Sequence, residues 1–383
     1  MNIVADENIP CVQQAFASLG EVSLLPGRVM QAEQVRDADI LLVRSVTRVD
    51  ASLLQGSSVR FVGSATIGFD HVDRDYLQQQ GIGFATAPGS NATSAAEYVV
   101  SALMVLSAQQ GVELAGKTVG IIGCGNVGSR VRCKLAALGM TCLVNDPPLQ
   151  ASAGHDDFVS LEEVLQADVV TLHVPLIKDS PHPTFYLVNA ALLDRLKPGA
   201  ILINTSRGAV VDNRALDALL ATRDELSVVL DVWENEPTIR PSLLQKVDLA
   251  TAHIAGYSYD GKLRGTEMIY HAACDYFATP AQWRAADVLA RAASIDLRDH
   301  GTDDLLAVAR AAVLACYDIR EDDARLRATL PLPVTERALA FDRLRKEYPL
   351  RREFSESTVL LREPAGAPGQ LLSGLGFQLV SSH

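Results

Sequence analysis

The sequence predicts an α/β fold built around a doubly wound parallel sheet, with a smaller α/β domain before it and an α+β module after it. Three observations carry this. Short apolar runs alternate with helical patterns between Lys117 and Ala255, the first hundred residues repeat a similar alternation, and beyond Pro280 the pattern changes. A strand covered by helices on both faces is apolar on both sides, and these runs lack the polar alternation of a half-exposed strand.

Taken in order, NIVAD, ADILLVRS, RFVGSA and IGFAT are the strand candidates of the first domain. The stretch NATSAAEYVVSALMVLSAQQ then offers Thr93 or Ser94 as a helix cap and a long apolar helix that crosses into the next domain. There KTVGIIG, TCLVND, DVVTLHVP, AILINTS, SVVLDVW and DLATAHI read as strands. Between them NVGSRVRCKLAALG, SLEEVLQ, NAALLDRLKPG and NRALDALLAT have helical spacing, several closed by Gly or Pro-Gly. A second long helix, KLRGTEMIYHAACDYFA, could return the chain to the first domain and place a cleft beside His253. Past Pro280, WRAADVLARAA, DDLLAVARAAVLACYDI and TERALAFDRLRKEY read as amphipathic helices, and STVLLRE and GFQLVSS as strands. The expected boundaries are 1–92 plus 258–280, 93–257, and 281–383.

Composition narrows the function. At 383 residues, 48% hydrophobic and 21% charged, the chain is of soluble, multidomain type. A net charge of −12 argues against nucleic acid or an anionic membrane as main partner, since both repel it at long range. Six cysteines without a CxxC pair imply reduced thiols and no zinc site. The acidic start MNIVADENIP does not resemble a signal peptide, and no apolar run nears the roughly 20 residues of a membrane span. A cytoplasmic protein is expected.

VGIIGCGNVGSRV is a strand, a GxGxxG at Gly123, Gly125 and Gly128, and a helix start. The glycines allow a tight turn, close approach of a pyrophosphate and close helix–strand packing, while the helix end offers free N–H groups to the phosphates. Asp146 closes the next strand, where a carboxylate accepts ribose hydroxyls and repels a 2′-phosphate. This Rossmann-like pattern favours NAD over NADP. Further on, INTSRGAVVDN places Arg207 after a strand, LDVWENEP brings Asp231 and Glu236 after the next, and TAHIAG brings His253 after the one following. A guanidinium suits a carboxylate, and a histidine beside a carboxylate suits proton transfer. Each residue alone is unremarkable, and together, at three successive strand ends, they are specific.

With these motifs in place, residues 1 to 280 resemble the D-isomer-specific 2-hydroxyacid dehydrogenases, whose catalytic order is also Arg, Glu, His. VRSVT, SATIGFDHVD, SRGAVVDN and HIAGYSYDGKLRGT are similar to one branch that acts on a phosphorylated 2-hydroxy acid. The resemblance implies a flavodoxin-like substrate domain and a C-terminal module that holds a homodimer together. It makes His253 the acid/base catalyst, Glu236 its partner and Arg207 the substrate clamp. It adds Asn126, Val127, Val174, Thr205, Ser206, Arg207, Asp231 and Gly256 to the NAD site, and Ser45, Thr66 and Tyr257 to the substrate site. Arg44, at a strand end beside Ser45, suits a phosphate, yet Arg44 and Arg48 read equally as solvated loop charges. The arginine-rich RLRKEYPLRREF reads as a charged helix face, with reach into a neighbouring subunit's site as the alternative. Members acting on 3-phosphoglycerate, glycerate or glyoxylate share this core, and so does an NAD-sensing corepressor that binds protein partners.

Overall fold

The computed structural model describes residues 1–153, 157–289, 294–300 and 304–381. The chain forms two compact units, Met1–Asn91 with Ser258–Ala290, and Ala92–Tyr257 with Arg291–His383.

In the first unit, strands β1 (Asn2–Asp6), β2 (Glu21–Leu25), β3 (Ile40–Val43), β4 (Phe61–Ser64) and β5 (Gly83–Ala85) form a parallel sheet in the flavodoxin-like order β2-β1-β3-β4-β5. β3 and β4 are buried along their whole length, as their unbroken apolar runs require. β2 escaped the sequence reading because it is a partly exposed edge strand with polar positions. The helix Tyr259–Tyr276 covers one face, packing Ile269, Tyr270, Ala273 and Cys274 on Ile3, Ala5, Ile40, Leu42 and Phe61.

The second unit holds a six-stranded parallel sheet of β6 (Thr118–Ile122), β7 (Thr141–Asn145), β8 (Val169–Leu172), β9 (Ile201–Asn204), β10 (Ser227–Leu230) and β11 (Leu249–Ala250), ordered β11-β10-β9-β8-β6-β7. β7 and β8 lie on opposite sides of β6, which creates the crevice where open α/β sheets bind ligands, beyond the carboxyl ends of the strands. A third parallel sheet joins β12 (Ser294–Asp296), β13 (Thr358–Leu361) and β14 (Gln378–Ser381). Within the described residues of this C-terminal segment, WRAADVLARAA supplies only a 3₁₀ turn at Ala285–Asp287, and residues 290–293 lie outside those described. No helix among the described residues is long and apolar enough to cross a membrane.

The C-terminal segment shares a core with the nucleotide sheet's flanking helices. Val308, Ala309, Ala312 and Val313 of the helix Leu305–Cys316, with Phe354, Leu372 and Leu375, pack into one buried cluster with Leu103, Leu106, Val131 and Leu135. The long helix runs Ala92–Gln110, so Thr93 and Ser94 lie inside its first turn rather than capping it, and the Ser94 carbonyl accepts from Arg351 at 2.6 Å. Buried charge knits the same interface. Glu97 accepts from the Phe354 amide at 3.0 Å and stands 3.5 Å from Lys134, which itself donates to the Leu375 carbonyl.

Burial pushes Glu97 up to about 7, against the pull of Lys134. A carboxyl whose folded pKa lies above its unfolded value adds stability that is full below the ordinary carboxylate range and is lost as pH rises through about 7. Glu97→Gln keeps the acceptor for Phe354 and removes the titration. Denaturant unfolding at pH 5.5 and 8 should show the parent losing on the order of 1–3 kcal/mol more than the variant between the two. An unchanged difference would place the ionisation elsewhere.

Candidate active site

The loop after β6 is built for close approach. Gly123 sits at φ +87°, and a Cβ there would lie 2.7 Å from the His173 carbonyl; a Cβ on Gly128 would lie 1.9 Å from the Gly123 carbonyl. Gly125 is the cap residue, and Asn126 and Val127 open the helix Asn126–Ala137, whose first N–H groups lack intrahelical acceptors. Asp146, directly after β7, braces this loop by accepting from the Cys124 amide at 2.8 Å and the Leu149 amide at 3.0 Å. Val174, after β8, lies against Gly123. A glycine cradle, a helix N-terminus and a carboxylate on the adjacent strand thus fit a dinucleotide. Asp146→Ser is expected to weaken NAD and to narrow the NAD-to-NADP ratio of kcat/KM, since one carboxylate serves both effects. An unchanged ratio would move the ribose contact off Asp146.

At the end of β9, Asn204 shapes the loop that presents Thr205, Ser206 and Arg207. Its side-chain oxygen accepts from the Ser206 amide at 3.1 Å and hydroxyl at 2.8 Å, and its amide donates to the Arg207 carbonyl at 3.1 Å. Arg207 is half-buried, with Nη1 donating to the Ser206 carbonyl at 2.8 Å. Gly208 lets this loop meet the next one, for a Cβ there would fall 1.9 Å from the Trp233 carbonyl carbon. His173, which the sequence reading passed over, links β8 to this loop, its ring bonded to Thr171 at 2.9 Å and Thr205 at 3.1 Å. Burial pushes it down to about 3, so it is a neutral spacer that fixes the Thr205 hydroxyl.

His253 and Glu236 meet directly. His253 Nδ1 lies 2.7 Å from Glu236 Oε2, while Glu236 Oε1 accepts from the Trp233 amide at 2.8 Å. Burial pushes the Glu236 carboxyl up, but the His253 ring, its hydrogen bond, the Trp233 amide and Arg345 outweigh that and hold it below the ordinary range. A carboxylate at Nδ1 selects the tautomer with a free Nε2, which no described residue bonds. The histidine backbone is held at φ +56°, a left-handed conformation uncommon outside glycine. Asp231 holds it there. Its backbone carbonyl accepts from the His253 amide at 2.8 Å, and its buried carboxylate accepts from Thr251 and the Ile254 and Ala255 amides at 2.7 to 3.0 Å. Gly256 lies in the turn that the Tyr257 amide closes on the Ile254 carbonyl.

Arg207, Glu236, His253 and Tyr257 belong to the second unit, and Arg44, Ser45 and Thr66 to the first. There β3 and β4 pair in register from Ile40–Phe61 to Val43–Ser64, so Arg44, Ser45 and Thr66 follow the carboxyl ends of neighbouring strands. Thr66 is oriented by Ser64 at 2.8 Å, whose hydroxyl also meets His71 at 3.1 Å. Arg48 is an exposed charge paired with Asp50 at 2.6 Å, whereas the Arg44 side chain has no hydrogen-bond or ion-pair partner among the described residues.

A doubly wound sheet with a dinucleotide cradle and a histidine–carboxylate pair defines an oxidoreductase that uses a nicotinamide dinucleotide. The family model described as D-isomer specific 2-hydroxyacid dehydrogenase, NAD binding domain, matches residues 90–255, and one described as a domain of unknown function matches residues 290–376. The chain is 53% identical over 370 residues to the erythronate-4-phosphate dehydrogenase of Salinibacter ruber, covering 94% of each. It is 47% identical over 386 residues to that of Chromohalobacter salexigens, covering 100% of both. NAD⁺-bound 3-phosphoglycerate dehydrogenase of Entamoeba histolytica superposes with a TM-score of 0.62 at 25% identity, covering 73% of this chain and 95% of that one. The chain belongs to the D-isomer-specific 2-hydroxyacid dehydrogenase family, in the branch of the erythronate-4-phosphate dehydrogenases.

Proposed function

We propose that the protein oxidises 4-phospho-D-erythronate to (R)-3-hydroxy-2-oxo-4-phosphobutanoate with NAD, a step in the synthesis of pyridoxal 5′-phosphate. Full-length identity to erythronate-4-phosphate dehydrogenases supports the substrate, and the 2.7 Å contact of His253 with Glu236 carries the chemistry. NAD supplies the hydride acceptor. As the C2–H bond breaks, His253 Nε2 takes the hydroxyl proton, and Glu236 stabilises the imidazolium that results. Arg207 binds the neighbouring carboxylate and polarises the forming carbonyl. Thr205 and Ser206, with Val174, Asp231 and Gly256, shape the nicotinamide end of the cofactor site. Arg44, Ser45, Thr66 and Tyr257 recognise the rest of the substrate, with Arg44 on the phosphate.

The enzyme works as a cytoplasmic homodimer joined through its C-terminal segment. Val334, Leu339 and Leu350 support this, being 57%, 61% and 72% exposed on and just after the helix Val334–Lys346.

Comparing 4-phosphoerythronate with plain erythronate in two variants tests the substrate assignment. Arg44→Ala should lower kcat/KM for the phosphorylated acid about ten- to two-hundred-fold, the loss of one charge-assisted contact, and scarcely touch plain erythronate. Arg207→Ala should damage both, because the carboxylate and reacting carbon are common to them. Equal losses on both acids in the Arg44 variant would remove Arg44 from the phosphate site. A panel with 3-phosphoglycerate, glycerate and glyoxylate checks the substrate class itself.

A further inference from the structure

The helix Val334–Lys346 brings Arg345 against Tyr257. The Arg345 guanidinium lies 5.8 Å from the centre of the Tyr257 ring and donates to the Tyr257 hydroxyl, four residues beyond His253. Its Nε is buried without a hydrogen-bond partner, an arrangement that costs stability and that packing alone does not require. Glu236 feels its charge. Burial acts against the Arg345 charge, but Tyr257 and Glu236 outweigh it, so the cation is fixed.

We propose that Arg345 is a positioning residue of the dehydrogenase site: it anchors Tyr257, four residues beyond His253, and its fixed positive charge favours carboxylate plus neutral imidazole in the pair. That is the state able to take a proton from the substrate. A His253 imidazolium next to Glu236 gains from the carboxylate, and a second cation nearby offsets part of that gain. Other charged groups leave this role open to Arg345. Asp231 is committed to Thr251 and the Ile254 and Ala255 amides. Arg207 belongs to the adjoining loop and faces substrate in the reading above. Asp342, one turn earlier on the same helix, interacts with Arg345, and Tyr348 packs edge-on against Tyr257 at 5.6 Å and donates to Asp322. The C-terminal segment thereby serves the chemistry as well as the assembly.

The inference rests on His253 as the base, so both are measured together. The pH profile of kcat/KM for 4-phosphoerythronate is recorded for the parent, Arg345→Gln, Arg345→Lys and, as an exposed control on the same helix, Arg343→Gln. Arg345→Gln should move the acid limb upward by about half a unit to one unit, with NAD affinity unchanged, because removing a cation favours the imidazolium. Arg345→Lys should restore most of the limb, and Arg343→Gln should leave it in place. Thermal melting of each variant separates loss of fold from loss of charge, with Arg345→Met, which keeps the apolar stem and drops the charge, carrying the test if the glutamine form melts early. A limb unmoved in folded Arg345→Gln, while His253→Asn abolishes it, overturns the role of Arg345 and spares the dyad. A limb that survives in His253→Asn overturns the dyad and this inference with it.

Discussion

His253→Asn lowers turnover roughly 10²- to 10⁴-fold while NAD still binds, the range expected for a lost general base. The substitution is suited to the position. Asparagine tolerates the left-handed backbone that His253 adopts at φ +56°, so the loop held by Asp231 should keep its shape. Its amide can still face Glu236 Oε2, now at the far end of a 2.7 Å contact that no longer carries a proton acceptor behind it. Initial rates with saturating 4-phosphoerythronate, together with a fluorescence titration of NAD, check both halves of the expectation. Turnover within a few-fold of the parent in a folded, NAD-binding variant would assign the base elsewhere.

Deleting residues 291–383 leaves a chain that does not unfold cooperatively. The reason is that the segment completes a core. Phe354, Leu372, Leu375, Val308 and Val313 would vanish from the cluster around Leu103, Leu106 and Leu135, and each large apolar side chain is worth about 1.5–3 kcal/mol when buried. A handful of such losses equals the roughly 5–15 kcal/mol that holds a typical domain together. Glu97 and Lys134 would also lose the Phe354 amide and the Leu375 carbonyl. Urea unfolding followed by circular dichroism decides the matter, and sedimentation reports the oligomeric state. A truncated chain with one sharp transition and normal NAD binding would show the segment to be separable.

What could be read from the sequence was what is local in it. Strand, glycine turn and helix lie within thirteen residues at Val119–Val131, and the strand ends carrying Arg207, Glu236 and His253 are each marked by an apolar run that stops. The charges inside the second unit left no such mark. Glu97 and Phe354 stand 257 residues apart, and neither lies in a pattern that announces a partner. Arg345 sits among Arg343 and Lys346 in what reads as a solvated face, and only the packing of its helix singles it out. His173 follows a strand like many buried histidines, with its two threonine partners on different segments. The helix expected at WRAADVLARAA failed for a different reason. Its apolar spacing is helical, but the described part makes a single 3₁₀ turn whose Ala285 amide bonds the Glu267 side chain, a tertiary contact that overrides local preference.

The discontinuity of the first unit has a consequence during synthesis. Its last strand closes at Ala85, but the helix that covers the sheet face begins only at Tyr259, and the whole nucleotide-binding segment must leave the ribosome in between. At roughly 5 to 20 residues per second that interval is about 10 to 35 seconds. For that time Ile3, Ile40, Leu42 and Phe61 wait without Ile269 and Tyr270 above them. The nascent chain therefore carries an exposed apolar sheet face far longer than a contiguous domain would. Its yield in a cell should depend on chaperone capacity and on translation rate through residues 86–258, even where the finished enzyme is stable.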